Sequence, residues 1–178
     1  MKEKCTKKIL LASFQTWLPH QVSNSSDDLL AKIQEKAFLS SSLTFLRQLP
    51  VDVSLASEKA IATIQVLRPH VVVCCGMAQS RERLRIESNA IWNNEQIYTS
   101  VKLERLISQL SSTHISHDAG KFVCEGLYYQ ILKYLRQFHP QSHCLFVHVP
   151  VINEANFTEI LGDFRLILEQ MQAIDRLP

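Results

Sequence analysis

The sequence predicts an α/β fold with a largely parallel sheet covered on both faces. Three observations carry that expectation. Val71-Val72-Val73-Cys74-Cys75 is apolar throughout, the pattern of a strand buried on both sides. Val123, Leu127, Ile131, Tyr134, Leu135 and Phe138 recur at helical spacing. Strand-like runs alternate along the chain with such amphipathic stretches, the order that builds parallel sheets. The 178 residues suit one domain, residues 1–178, with a sizeable core. No internal repeat, low-complexity segment or linker divides the chain, and the pattern leaves the strand order open.

Taken in order, Ile9-Leu10-Leu11-Ala12 reads as a first buried strand. A loop from Ser13 to Asn24 follows, and its Phe14, Trp17 and Pro19 either line a pocket or cap the core. Ser25 or Ser26 is the expected N-cap of a helix bearing Leu29, Leu30, Ile33 and Ala37, with Asp27 and Asp28 in its first turn. Leu43 to Leu49 reads as a second strand ended by Pro50, with Val51 and Val53 continuing extended. A helix from about Ser54 to Leu67 turns Ala60, Ile61, Ile64 and Leu67 inward. It stops at Arg68-Pro69, because the residue before proline avoids the helical region. Gly76 is expected to break the strand over Val71–Cys75. Leu84 to Trp92 reads as one strand of mixed character, and Asn93-Asn94 turns the chain. Val101 to Leu110 is a predicted short helix, and Ile115 marks a brief strand. His139-Pro140 ends the helix that starts near Cys124, and His143 to Val149 is the last strand. Asn156 with Glu159 predicts a capping-box start for a final helix carrying Ile160, Phe164, Ile167, Leu168, Met171 and Ile174.

Composition excludes several function classes. The chain is 46% hydrophobic and 20% charged with a net charge of +2, and its longest basic run is Lys7-Lys8, so it has no electrostatic footprint for nucleic acid. No apolar run reaches membrane-spanning length, and Gln15 interrupts any signal-peptide core. The five cysteines (Cys5, Cys74, Cys75, Cys124 and Cys144) are odd in number and lack zinc-site spacing. A reducing cytosol is therefore expected rather than a disulfide framework. His139 and His143 straddle Pro140 and cannot share a helix face as metal ligands. His114 and His117 read as loop or edge residues, so no metal is expected.

The chemistry centres on Cys124, in the first turn of a predicted helix. The unpaired N–H groups and the positive dipole end there favour a thiolate, the nucleophilic form of cysteine. Cys124 is thus expected to alkylate faster than the other cysteines, with Cys5 as an exposed control. The competing reading is a buried structural cysteine, which Cys144 in mid-strand exemplifies. His148 stands near the carboxyl end of an apolar strand, where open α/β sheets build their sites. A cysteine peptidase needs a thiol, a histidine to share its proton and a third group to orient the imidazole. Glu87, in a strand-like segment, is the candidate for the third group, against the alternative of a solvated edge glutamate.

At these residues the chain resembles the pyroglutamyl peptidase I (pyrrolidone-carboxylate peptidase) family of cysteine peptidases. Ala119-Gly120-Lys121-Phe122-Val123-Cys124 is similar to the family's nucleophile segment, and Phe146-Val147-His148-Val149-Pro150 to its histidine segment. Gly76-Met77-Ala78 with Arg81, Ile86-Glu87 and Ala90-Ile91 is similar to its acid segment. Leu49-Pro50-Val51 and Leu67-Arg68-Pro69 match in place. The resemblance implies an α/β/α sandwich with a mixed, largely parallel central sheet. It also implies a cytoplasmic enzyme that removes an N-terminal pyroglutamyl residue from peptide substrates, with no metal or cofactor and often as a homotetramer. It makes Cys124 the nucleophile, His148 the general base and acid, and Glu87 the orienting carboxylate. Phe14, Trp17, Met77, Phe122 and Val123 fall at substrate-binding positions.

Several positions depart from the family pattern. Ser13 stands for a glycine, Trp17 for a phenylalanine, Met77 for a glutamine and Ser88 for an arginine. Val51 stands where some members have threonine. The family's Gly-Gly after the second aromatic is missing, and its loop after the acid segment is shortened to about Trp92–Gln96. Losing polar partners for a buried lactam predicts a weaker preference for pyroglutamyl over prolyl-like residues. Two readings stand: a cysteine exopeptidase, or a family scaffold with altered or lost activity that serves binding or assembly.

Overall fold

The computed structural model describes residues 6–39 and 41–174; Cys5 lies outside them. Its main sheet has six strands: β1 (Ile9–Phe14), β2 (Leu43–Leu49), β3 (Val71–Met77), β4 (Arg85–Glu87), β7 (His114–Ser116) and β8 (His143–Val149). They lie in the order β2-β1-β3-β8-β4-β7. All neighbours run parallel except β4 against β8, so the sheet is mixed and mostly parallel. The second sheet is a hairpin of β5 (Asn89–Trp92) and β6 (Glu95–Tyr98).

Strand parity sorts the core into two layers, because successive side chains point to opposite faces. Ile9, Leu11, Val71, Val73, Cys75, Leu145 and Val147 meet α1 (Ser25–Glu35), α3 (Leu103–Ile107) and α5 (Phe157–Gln172) on one side. Leu10, Ala12, Val72, Cys74, Cys144 and Phe146 meet α2 (Val53–Leu67) and α4 (Val123–Phe138) on the other. By the same parity, Gly76 and His148 belong to the α2/α4 face. Glu87 joins them, because its neighbour Ile86 is buried on the α1/α5 face.

Several sequence expectations shift, each for a local reason. Asn24 caps α1 in place of Ser25 or Ser26, its side chain accepting from the Ser26 N–H. Ala37 lies beyond that helix with a positive φ. Val53 starts α2 rather than continuing extended, because the Asp52 side chain accepts from the Leu55 N–H. The predicted strand over Leu84–Trp92 divides at Ser88 into β4 and β5, which belong to different sheets. Asn93 and Asn94, both at positive φ, make the tight turn that returns the chain as β6. The helix expected over Val101–Leu110 keeps only Leu103–Ile107. Asn156 makes no side-chain cap on α5; its Oδ1 accepts from the Asn153 N–H, and no capping box forms.

Two buried networks fasten the loops. Arg47 and Gln48 together oppose Ser13 at a bulge between β1 and β2, with Gln48 at φ 57°. There Asp27 accepts from Arg47 at 2.8 and 2.9 Å, from Ser13 at 2.7 Å and from Gln48 at 3.2 Å. On α5, Asp163 accepts from Ser111 N–H and Oγ, Ser112 N–H and Thr113 Oγ1 at 2.7–3.0 Å, fixing the approach to β7. Among the described residues, no helix is long and apolar enough to cross a membrane.

Candidate active site

Cys124 is the second residue of α4, whose N-cap Phe122 offers no side-chain hydrogen bond. The first backbone bond of the helix runs from Gly126 N–H to Phe122 C=O, so the preceding amides of the first turn have no helical acceptor. The Sγ of Cys124 rests on Gly76, where an added Cβ would lie 2.7 Å from the sulfur and 2.9 Å from the Phe146 ring. That contact corrects the reading of Gly76 as a strand breaker. It sits inside β3, and a glycine within a strand marks a close approach of another group. Gly76 is the register partner of His148 on β8, which brings the histidine beside the thiol.

His148 and Glu87 are joined across the antiparallel β4–β8 pair, Nδ1 to Oε1 at 2.7 Å. A carboxylate only accepts, so Nδ1 carries the proton and Nε2 is left to exchange one. Glu87 is 1% exposed, not a solvated edge residue, because β4 is an interior strand of the sheet. Its carbonyl accepts from the buried Tyr128 hydroxyl at 3.0 Å, which ties β4 to α4. Its Oε2 is buried with no hydrogen-bond partner. The Phe146 ring lies 4.9 Å from the imidazole and helps confine it. Among the described residues, no hydrogen bond joins Cys124 to His148.

The electrostatics of the thiol run against its expected lowering at the helix start. Burial pushes the Cys124 thiol up to about 12, with nearby Cys74 and Glu87 adding to the rise, and its own backbone N–H offsets only part of this. Desolvation outweighs the helix terminus here, which favours the neutral thiol over the thiolate. The helix-start position on which faster alkylation was expected therefore does not lower this thiol.

A cavity of about 420 Å³ opens over these groups. Glu87, Cys124 and His148 line it, and so do Phe14, Trp17, Met77, Phe122 and Val123. Phe14 and Val123 are buried in its wall, whereas Trp17 at 44% and Phe122 at 81% exposure stand at its mouth. Asn24, Ser80, Arg81, Asp118 and Lys121 also reach it. Loop residues such as Asn24 and Asp118 carry no periodic signal, so the sequence did not single them out. Glu125, next to Cys124, was missed as well. Its buried side chain accepts from the Ile91 N–H at 2.9 Å and pins the β5–β6 hairpin to the start of α4. Ser88, at the position of the family's arginine, bonds Asn89 and His117 at 2.7 Å. No group of three or more His, Cys, Asp or Glu among the described residues could hold a metal ion.

With this geometry in hand, comparison with known proteins points one way. The family model for pyroglutamyl peptidase matches residues 96–173. The pyrrolidone-carboxylate peptidase of Oceanobacillus iheyensis is 22% identical over 183 residues, covering 89% of this chain and 91% of its own. That of Brevibacillus brevis is 25% identical over 135 residues, covering 61% and 63%. In fold, the Bacillus amyloliquefaciens pyroglutamyl peptidase I matches with a TM-score of 0.80 at 18% identity, covering 94% of this chain and 97% of its own. The Thermococcus litoralis pyrrolidone carboxyl peptidase matches with a TM-score of 0.81 at 15% identity, covering 96% of each. The expected α/β architecture is therefore the observed one, and in both sequence and fold the family that this chain resembles is that of the pyroglutamyl peptidases.

Proposed function

We propose that the protein is a cysteine exopeptidase that removes an N-terminal pyroglutamyl or related residue from peptides, with Cys124 as nucleophile, His148 as general base and acid, and Glu87 as the carboxylate that orients His148. The observation that carries this reading is the 2.7 Å hydrogen bond between buried Glu87 and half-buried His148, made in the wall of the cavity that Cys124 also lines. Similarity to the pyrrolidone-carboxylate peptidases supports it.

A thiol held near 12 is almost wholly protonated at neutral pH, so its proton must leave as the bond forms. His148 Nε2 takes the Sγ proton while the sulfur adds to the acyl carbon, and the carbonyl electrons move to oxygen. First-turn amides of α4, uncommitted within the helix, can donate to that oxyanion. The imidazolium, held by Glu87, returns its proton to the departing amine as the C–N bond breaks and a thioester remains. Water then adds to the thioester, giving its proton to His148. Collapse expels the thiolate, which recovers that proton, and the free acid leaves.

The same reading takes the chain as one domain in the cytoplasm, consistent with free thiols at Cys74, Cys75, Cys124 and Cys144. It also takes the protein as a homo-oligomer, with a tetramer implied by the family resemblance. Hydrolysis of a fluorogenic pyroglutamyl amide by the purified protein is the test. The expected result is turnover that Cys124→Ala abolishes. Turnover that survives Cys124→Ala, or none from the natural protein, would overturn the proposal.

A further inference from the structure

The cavity has two ends of different character. Phe14, Glu87 and Val123 are buried at its floor, with Cys124 and His148 beside them. Trp17, Ser80, Arg81, Asp118, Lys121 and Phe122 are exposed at its mouth. An N-terminal residue has no chain before it. When it fills the floor with its carbonyl at Cys124, the rest of the peptide can run out only through the mouth. Two segments bring cations there. Arg81 closes the turn after β3, its N–H donating to the Ala78 carbonyl at 3.0 Å. Lys121 lies three residues before Cys124, at most about 11 Å of chain, the length of the first few residues of a departing peptide. Among the described residues, no ion pair engages either cation. Asp118 is the one acid at the mouth, and its Oδ1 accepts from the Gly120 N–H at 2.9 Å. Glu87, at the floor, is committed to His148. Exposed Glu82 and Arg83, next along the chain but outside the cavity, carry opposite charges. The exit therefore holds two unpaired cations against one anion.

We propose that Arg81 and Lys121 select for a carboxylate in the departing segment of the peptide. The inference rests on the peptidase reading and adds the class of peptide. That class is a chain whose second residue is acidic, or a dipeptide whose own terminal carboxylate falls at the same place. A carboxylate there meets an excess of positive charge at the rim of a cleft, which concentrates the field and speeds capture. Both cations are exposed, so the effect is that of surface pairs: about 3–10-fold in kcat/KM. For the same reason it is screened by salt.

The experiment measures kcat/KM in the natural protein for two pairs of peptides. One pair is pyroglutamyl-glutamyl-alanine amide and its glutaminyl counterpart; the other is pyroglutamyl-alanine and its amide. In at least one pair the acidic member should lead by about threefold or more at low ionic strength. A lead in the first pair assigns the preference to a side chain, and a lead in the second to the chain end. At about 1 M salt, where screening acts within about 3 Å, the lead should shrink towards unity. It should also shrink in Arg81→Gln or Lys121→Gln. A merely structural role would slow both members of a pair alike and leave their ratio standing. No such lead in either pair, or a lead that survives salt or survives both variants, overturns the proposal. In parallel, calorimetry on Cys124→Ala compares binding of the same four peptides. If the natural protein cleaves none of them, the peptidase reading falls and the affinity ratio decides this one. Tighter binding of an acidic member supports it; equal binding, or none, overturns it.

Discussion

Glu87 and Asp163 are both buried carboxylates, at 1% and 3% exposure, yet they are treated in opposite ways. Asp163 accepts four hydrogen bonds from one loop, and both of its oxygens are used. Glu87 has a single side-chain partner, His148, and a second oxygen left bare in the interior. A saturated carboxylate is what stability requires, since a buried acceptor without partners costs about 1–3 kcal/mol. On the proposed reading, an unsaturated one facing a histidine beside a thiol is a group kept for chemistry. The difference would then separate a fastening from a working part, although both look alike as isolated acids in the sequence.

The comparison can be broken first at Glu87. Glu87→Gln should cut kcat by about 10³–10⁴, because an amide can donate to Nδ1 as well as accept from it and no longer fixes the tautomer of the imidazole. The melting temperature should move little, and steady-state kinetics with thermal unfolding on the same sample reads both. A large drop in melting temperature with activity preserved would make Glu87 structural after all. Asp163→Ala should do the reverse. It strands two amides and two hydroxyls, so we expect a loss of about 2–4 kcal/mol. At about 2–4 °C per kcal/mol for a chain of this size, the melting temperature should fall visibly, with kcat per folded molecule unchanged.

A third test sharpens the contrast at the sulfur. With the Cys124 thiol raised to about 12, its native-state alkylation by iodoacetamide should climb about tenfold per pH unit from neutrality to pH 10. A rate that is flat across that range would instead mean a standing thiolate paired with His148. The smallest effect concerns acid. Burial alone would raise Asp27, but its bonds to Arg47, Ser13 and Gln48 prevail and hold it below the usual range. Asp163 is likewise lowered by its Ser111, Ser112 and Thr113 donors against the cost of burial. A depressed folded value stabilises above the unfolded value of about 3.9 and loses that stabilisation as pH falls through the folded one. Denaturant midpoints should therefore drop below about pH 4, and Asp27→Asn should flatten part of that decline. An unaltered slope in the variant would remove Asp27 from the account.

Much of this was legible beforehand where burial writes a pattern. The apolar run at Val71–Cys75 and the span His143–Val149 gave strands, and the helical stripe behind Cys124 gave α4. The candidate residues Glu87, Cys124 and His148 were picked by type and position and share one cavity. What the sequence hid depends on partners distant along the chain. The break at Ser88 follows from which strands Arg85–Glu87 and Asn89–Trp92 find, not from their own alternation. The high thiol value follows from burial of the sulfur, which rests on Gly76 of β3, whereas local reading sees only the helix end. The networks around Asp27 and Asp163 span 14–52 residues of separation and left no periodic trace.

The bare backbone at Gly76 sets how deep the sulfur can sit. Any side chain there would put its first carbon 2.7 Å from the Cys124 sulfur and 2.9 Å from the Phe146 ring, nearer than atoms approach unless something shifts. A single added methyl group would therefore displace the thiol from its seat on β3, beside the strand position that Gly76 shares in register with His148.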